Sequence, residues 1–206
     1  MPILITALKI IAILAVGYLL GSVSVAVIVS KYLFKSDVRD QGSHNAGSTN
    51  MARVYGMGAG LLTFAGDVLK TVFAMLFGRL LLGEMGFAIG GIACIIGHCF
   101  PVFFGFKGGK AVAVSGGIAI MLGWQYALSL IGLFLIIAII TRYVSLGSLI
   151  AVVMIIPALI IFGGYGPWVY FLAAVMIVSV WYMHRGNIKR LLTGTENKFV
   201  PGKRKK

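Results

Sequence analysis

The chain has 206 residues, of which 60% are hydrophobic and only 11% charged. Its mean hydropathy is +1.02, whereas soluble domains are about 25% charged, so a soluble core is excluded and the bilayer is the expected solvent. A net charge of +13 with five carboxylates would point to nucleic acid in a soluble protein. In a membrane chain it points instead to basic inner loops facing anionic headgroups, and no nucleic-acid partner is expected.

Residues 3–30 form the first apolar run, with Lys9 near its start and Lys31 and Lys35 just after it. A cleavable signal peptide carries its charge ahead of the apolar run. Here the charge follows, which predicts an uncleaved first helix with its N-terminus outside. Residues 31–55, with Lys31, Lys35, Arg39 and Arg53, then read as an inner loop. Its centre, Gly42-Ser43-His44-Asn45-Ala46-Gly47-Ser48-Thr49-Asn50, alternates small residues with amides and hydroxyls. Glycines there let backbone N–H groups approach a ligand, and Asn adds donors in the same turns. The plainer reading is a polar connector between two helices.

The second and third helices are expected at 56–78 and 86–104. Gly17 with Gly21, and Gly86 with Gly90, have the spacing that lets membrane helices pack closely. Asp67 and Lys70, three residues apart on one face of the second helix, make either a structural ion pair or the wall of a wet cavity. Cys94 and Cys99 share one apolar segment and read as reduced, packed thiols. His98 reads as a packed, hydrogen-bonded histidine. Next comes Lys107-Gly108-Gly109-Lys110, opening a helix whose N-terminal N–H groups attract phosphate. It is not a nucleotide P-loop, because the glycine spacing is too short and Ala111 stands where Ser or Thr would hold Mg²⁺.

Residues 111–140 admit one steep pass or two short ones, since a full pass needs ~20 residues. Two passes, 111–123 and 126–141, keep Arg142 and the basic tail inside, so the charge rule selects them. Helices at 146–163, with a kink at Pro157, and at 167–184 complete seven passes, with the C-terminus cytoplasmic. The segment from Arg185 to Leu192 is basic and amphipathic and should lie along the headgroups. The tail from Pro201 to Lys206 is expected to be disordered, either a lipid-surface anchor or an addition to the natural chain. The expected fold class is therefore an all-α integral membrane protein, one polytopic domain over 1–206 with two short helices in the middle.

In that topology Ser43, Asn45, Thr49, Asn50, Arg53, Lys107, Lys110, Arg142, His184 and Asn187 all fall on the cytoplasmic side, as do Ser145 and Ser148. All can address anionic oxygen. Nothing resembles a zinc ligand set, a Ser-His-Asp or Cys-His pair, or a His followed five residues later by Asp. Residue chemistry thus predicts one inward-facing site for phosphate-bearing ligands, and leaves chemistry and transport both open.

Four separated blocks carry a more specific likeness. They are Gly-Ser-x-Asn-x-Gly-x-Thr-Asn-x-x-Arg at 42–53, Gly-Asp-x-x-Lys at 66–70, His98 through Pro101 to Phe-Lys-Gly-Gly-Lys at 106–110, and His-Arg-x-Asn-Ile-x-Arg-Leu at 184–191 with Glu196. From the first helix to Glu196 the chain resembles the bacterial acyl-phosphate-dependent glycerol-3-phosphate acyltransferases of the PlsY type. Thr71 and Ala111 stand where that pattern often has glycine. The resemblance implies seven membrane helices in the inner membrane. It implies transfer of a fatty acyl group from acyl phosphate, not from acyl-CoA or acyl-carrier protein, to the sn-1 hydroxyl of glycerol 3-phosphate, giving 1-acylglycerol 3-phosphate and phosphate; no cofactor and no metal are expected. It places Ser43, Lys110, His184 and Asn187 at the chemistry. Gly42, Asn45, Gly47, Thr49, Asn50, Arg53, Lys107, Gly108, Gly109, Arg142 and Ser145 would bind substrate and phosphate. Asp67, Lys70 and Glu196 would shape the cavity. The expected partners are the two substrates and the lipid bilayer, with the chain acting as a monomer.

Two competing readings differ in kind. A phosphate-ester transporter would place its site near the midplane and often repeats its halves, and no repeat is evident. A basic scaffold on the lipid surface leaves Asp67 and the first loop without a purpose.

Overall fold

A computed structural model describes residues 1–199, so the tail from Pro201 to Lys206 lies outside the described residues. Among these every regular element is helical. The first apolar run is two helices, α1 (Pro2–Ser22) and α2 (Val25–Phe34), separated by extended backbone at Val23 and Ser24. The break frees the carbonyls of Gly21 and Val23, and the Lys70 ammonium caps both at 2.9 Å. A lysine 47 residues away thus ends a helix that the apolar pattern alone would have continued.

The donor-rich segment is also part helix. A 3-10 turn at Val38–Asp40 leads to α3 (Ser48–Tyr55), where the sequence predicts a donor-rich loop without helix. The long element α4 (Met57–Cys99) is non-helical at Leu82 and Gly83, Gly83 taking φ 57°. There the chain turns back and its two arms pack together. A Cβ on Gly78 would strike the carbonyl of Gly86, and one on Gly90 the carbonyl of Ala74. Helix α1 presses equally closely on the second arm, Gly21 against the Cys94 backbone and Gly97 against the carbonyl of Tyr18. Close backbone approach of this kind gains dispersion where burial from lipid gains little.

The second arm stops at Cys99 rather than 104. Pro101 disfavours the α conformation in the residue before it, and Phe100 accordingly sits at φ −129°, ψ 66°. A 3-10 turn at Val102–Phe104 follows. The rest of the chain is α5 (Val112–Leu122), α6 (Trp124–Thr141), α7 (Val144–Val153), α8 (Ile155–Phe162), α9 (Pro167–Met183) and α10 (Arg185–Leu192). The kink expected at Pro157 appears between α7 and α8 at Met154. A proline ring clashes with the carbonyl four residues back, here Val153.

Among the described residues four helical stretches are long and apolar enough to cross a bilayer, or five if the bent pair of α9 and α10 counts as one span. Ile3, Leu80, Ile140 and Ile161 are between 74% and 86% exposed on the surface of the bundle. So much outward-facing aliphatic surface belongs in lipid.

Candidate active site

Two loops meet where α3, α4, α5, α7 and α10 converge. In the first, Asp37 accepts hydrogen bonds from the backbone and guanidinium of Arg39, which hold its carboxyl down at about 2. Arg39 also donates to the carbonyl of Phe104 at 2.7 Å, tying the first loop to the approach of the second. The loop is wound around Asn50. Its side-chain oxygen accepts from the Ser43 amide at 2.8 Å, and its NH₂ donates to the carbonyls of Val38, Gln41 and Asn45. The expectation that Asn50 addresses phosphate is corrected here: its amide is committed to the protein's own backbone, and it shapes the loop instead. Gly42 serves the same turn, with φ 61° and no room for a Cβ beside Asn50.

The second loop lies flat on the end of α4. The Gly109 amide donates to the carbonyl of His98 at 3.0 Å. A Cβ on Gly108 would strike that carbonyl, and one on Gly109 would strike His98 Nε2. These contacts aim Lys110 at α10, where its ammonium donates to Asn187 Oδ1 at 2.5 Å. Burial, reinforced by Arg190 and Arg53, pushes the Lys110 ammonium down to about 8. Asn187 in turn donates to Glu196 at 2.6 Å, and Ser145 and Arg190 donate to the same carboxylate at 2.8 and 2.7 Å. Burial alone would raise the Glu196 carboxyl; those donors outweigh it and hold it below the usual carboxylate range. His184 Nδ1 lies 2.8 Å from the carbonyl of Val180. A carbonyl only accepts, so Nδ1 carries the proton and Nε2 is left as an acceptor.

These groups surround a polar cavity of about 80 Å³. Of the residues singled out in the sequence, Ser43, Asn45, Gly47, Thr49, Asn50 and Arg53 line it from the first loop and α3. Asp67, Lys110, Ser145, His184, Asn187 and Glu196 line it from elsewhere. Others stand apart. Lys107 is exposed and absent from the lining, and Gly42, Gly108 and Gly109 support the loops from behind. Lys70 is buried behind Asp67, 2.8 Å from its Oδ1. Arg142, expected at the phosphate, is an exposed left-handed cap of α6 and belongs to a different surface.

That surface is an apolar groove of about 640 Å³. Leu61 and Phe64 of α4, Gly116 of α5, Phe134 and Ala138 of α6, and Phe199 of the tail contribute to it. Ser48, Thr49, Val112, Ala113, Val144 and Ser148 line both spaces, so groove and cavity share a wall and communicate there. Sequence reasoning does not find the groove, nor Arg190, Asn197 and Ser48 in the cavity. Arg190 has one signal, its place in the last block one helical turn beyond Asn187. A donor-rich cavity opening into an apolar groove is suited to a ligand with an anionic head and a long chain.

Known proteins are similar to this chain in both sequence and shape. A family model described as glycerol-3-phosphate acyltransferase matches residues 11–194. The chain belongs to the glycerol-3-phosphate acyltransferase family. A relative named glycerol-3-phosphate acyltransferase 2 from Bacillus anthracis is 41% identical over 187 residues, covering 91% of this chain and 97% of the relative. A glycerol-3-phosphate acyltransferase of Thermoanaerobacter pseudethanolicus is 40% identical over 184 residues, covering 89% of this chain and 92% of its own. The crystal structure of PlsY, an integral membrane glycerol 3-phosphate acyltransferase, in its glycerol 3-phosphate form superposes with a TM-score of 0.87 at 37% identity. It covers 93% of this chain and 96% of that one. The lysophosphatidic acid form gives 0.85 at 36% identity, covering 93% and 95%. The family resemblance drawn from the four sequence blocks and this family agree.

Proposed function

We propose that the chain transfers a fatty acyl group from acyl phosphate to the sn-1 hydroxyl of glycerol 3-phosphate, releasing 1-acylglycerol 3-phosphate and phosphate. The single observation that carries this reading is the cationic cavity joined to the apolar groove at a shared wall. The groove would hold the acyl chain and the cavity the two phosphates, so that the acyl carbon and the attacking hydroxyl meet between them. Acyl phosphate is already activated, so positioning and charge stabilisation suffice and no covalent enzyme intermediate is needed. Ser43, Arg53 and Lys110 would hold anionic oxygen, and Asn187, locked by Glu196, would fix the Lys110 ammonium.

The same reading has seven passes. They are α1 with α2, the two arms of α4, the short α5, α6, α7 with α8, and α9. The N-terminus would be outside, and the cavity and basic C-terminus would face the cytoplasm across the inner membrane. The same reading has the chain act as a monomer. The decisive assay incubates purified protein in detergent with palmitoyl phosphate and labelled glycerol 3-phosphate. Labelled lysophosphatidic acid is expected. Flux of the ester across sealed vesicles without that product would make the chain a transporter.

A base must take the hydroxyl proton. His184 Nε2 is one candidate, but burial, reinforced by the Lys110 ammonium, disfavours an imidazolium there, which favours the acceptor's own phosphate. His184 would then orient the hydroxyl rather than take its proton. On that reading His184→Gln retains clearly more turnover than His184→Ala, measured as kcat. A histidine base predicts equal losses of about 100- to 10,000-fold in both.

Groove length should set chain length. A Cβ on Gly116 lies 3.6 Å from the Phe64 ring, so a side chain grown there enters the groove. Gly116→Leu is expected to lower kcat/KM for palmitoyl phosphate relative to decanoyl phosphate by about tenfold or more. An unchanged ratio would take the acyl chain out of this groove.

A further inference from the structure

Asp67 lies in the wall of the polar cavity and is 1% exposed. Beside it, Lys70 has three N–H donors, and three acceptors claim them. The carbonyls of Gly21 and Val23 are each 2.9 Å from the ammonium, and His98 Nδ1 is 3.0 Å away. Asp67 Oδ1 is 2.8 Å from the same ammonium, which compensates its charge. Yet neither oxygen of Asp67 receives a directed hydrogen bond among the described residues. Buried carboxylates ordinarily fill their acceptor sites. Here charge is balanced and acceptor capacity is left over.

Among the described residues the cavity offers no second carboxylate with acceptor capacity to spare. Glu196, its other carboxylate, already receives Ser145, Asn187 and Arg190. A phosphate dianion brings only acceptors and suits the surrounding cations. The glycerol hydroxyls bring donors, and a carboxylate with free lone pairs is the matching partner. Position selects which hydroxyl. Asp67 lines the cavity but not the groove, and the two spaces meet at Ser48, Thr49, Val112, Ala113, Val144 and Ser148. The reacting sn-1 hydroxyl has to face that shared wall. The hydroxyl left to face Asp67 is the one on C2.

Resting on the acyltransferase reading, we propose that Asp67 accepts a hydrogen bond from the C2 hydroxyl of the acceptor and selects a glycerol phosphate over an alkanol phosphate. Lys70 acts behind it, compensating the carboxylate's charge and holding it in place. If Asp67 were only a counter-ion for Lys70, its loss would weaken every acceptor alike.

The test compares glycerol 3-phosphate with 3-hydroxypropyl phosphate, which keeps the reacting hydroxyl and lacks the one on C2. The unmodified protein is expected to prefer glycerol 3-phosphate by about 10- to 100-fold in kcat/KM, the range of a hydrogen bond to a charged group. Asp67→Asn should erase that preference, bringing the two acceptors within about threefold of one another, with most of the loss in KM for glycerol 3-phosphate. A variant that is slower on both acceptors with the preference intact overturns the proposal. Should Asp67→Asn not fold, difference infrared spectroscopy of the unmodified protein decides. Glycerol 3-phosphate should shift a carboxylate antisymmetric stretch and 3-hydroxypropyl phosphate should not; equal spectra overturn the proposal. An unmodified protein inactive on glycerol 3-phosphate and acyl phosphate sinks the acyltransferase reading itself, before any variant is made.

Discussion

Lys110→Ala is expected to lower kcat/KM by about 100- to 1,000-fold, the loss typical of a donor aimed at developing charge in a secluded site. The ammonium is half-buried in the cavity wall and fixed by Asn187 Oδ1. Lys107→Ala, three residues earlier on an exposed stretch outside the cavity, should stay within about threefold of the parent. A composition-level account treats the two lysines alike, so the contrast isolates the geometry. pH adds a second reading. Burial, with Arg190 and Arg53 nearby, pushes Lys110 down to about 8, and only the charged form can hold an anion tightly. Activity should therefore be full below that value and fall as pH rises through it. The free protein's titration appears in kcat/KM rather than kcat. Arginine stays charged across this range, so whatever activity Lys110→Arg retains should lack the alkaline limb. An identical limb in that variant would assign the titration elsewhere.

What can be read from the sequence is what is local. Gly42 to Asn50 and Lys107 to Lys110 stand out because polar, glycine-bearing runs are conspicuous in an apolar chain, and Ser43 and Lys110 do line one cavity. Charge placement proposes a side of the membrane without any contact information. What escapes is what depends on distant partners. Asn50 looks like one more donor beside Asn45, and only its bonds to the carbonyls of Val38, Gln41 and Asn45 mark it as scaffolding. The break between α1 and α2 is stabilised by Lys70, which no window around Val23 contains. The groove leaves no trace for a simple reason. In a membrane helix the residues facing lipid and those facing a buried acyl chain are equally apolar, so no periodicity separates Phe134 or Leu61 from their neighbours. Arg142 is misplaced by the same limit: charge speaks to the leaflet, not the pocket.

Gly109→Ala should cost more activity than its size suggests, about 100-fold in kcat/KM, with most of the fold's stability kept. The reason is the surface beneath it. A Cβ there would strike His98 Nε2 and lie 3.1 Å from the carbonyl of Ala46, so it has a floor on one side and the first loop on the other. His98 cannot step back, because its Nδ1 is held by Lys70 at 3.0 Å and its ring is buried. The loop must lift instead, carrying Lys110 away from Asn187, and a displacement of ~1 Å is enough for a loss of that order. Gly105→Ala provides the control within the same segment. That glycine has φ 66°, but a methyl group on its Cα would have no atom within 4 Å, so alanine there costs only backbone strain of about 1–2 kcal/mol. Thermal unfolding should therefore register Gly105→Ala with little change in turnover, and the acyltransfer assay should register Gly109→Ala. The opposite ranking would mean that the loop does not rest on His98, and the route by which α4 positions Lys110 would have to be sought elsewhere.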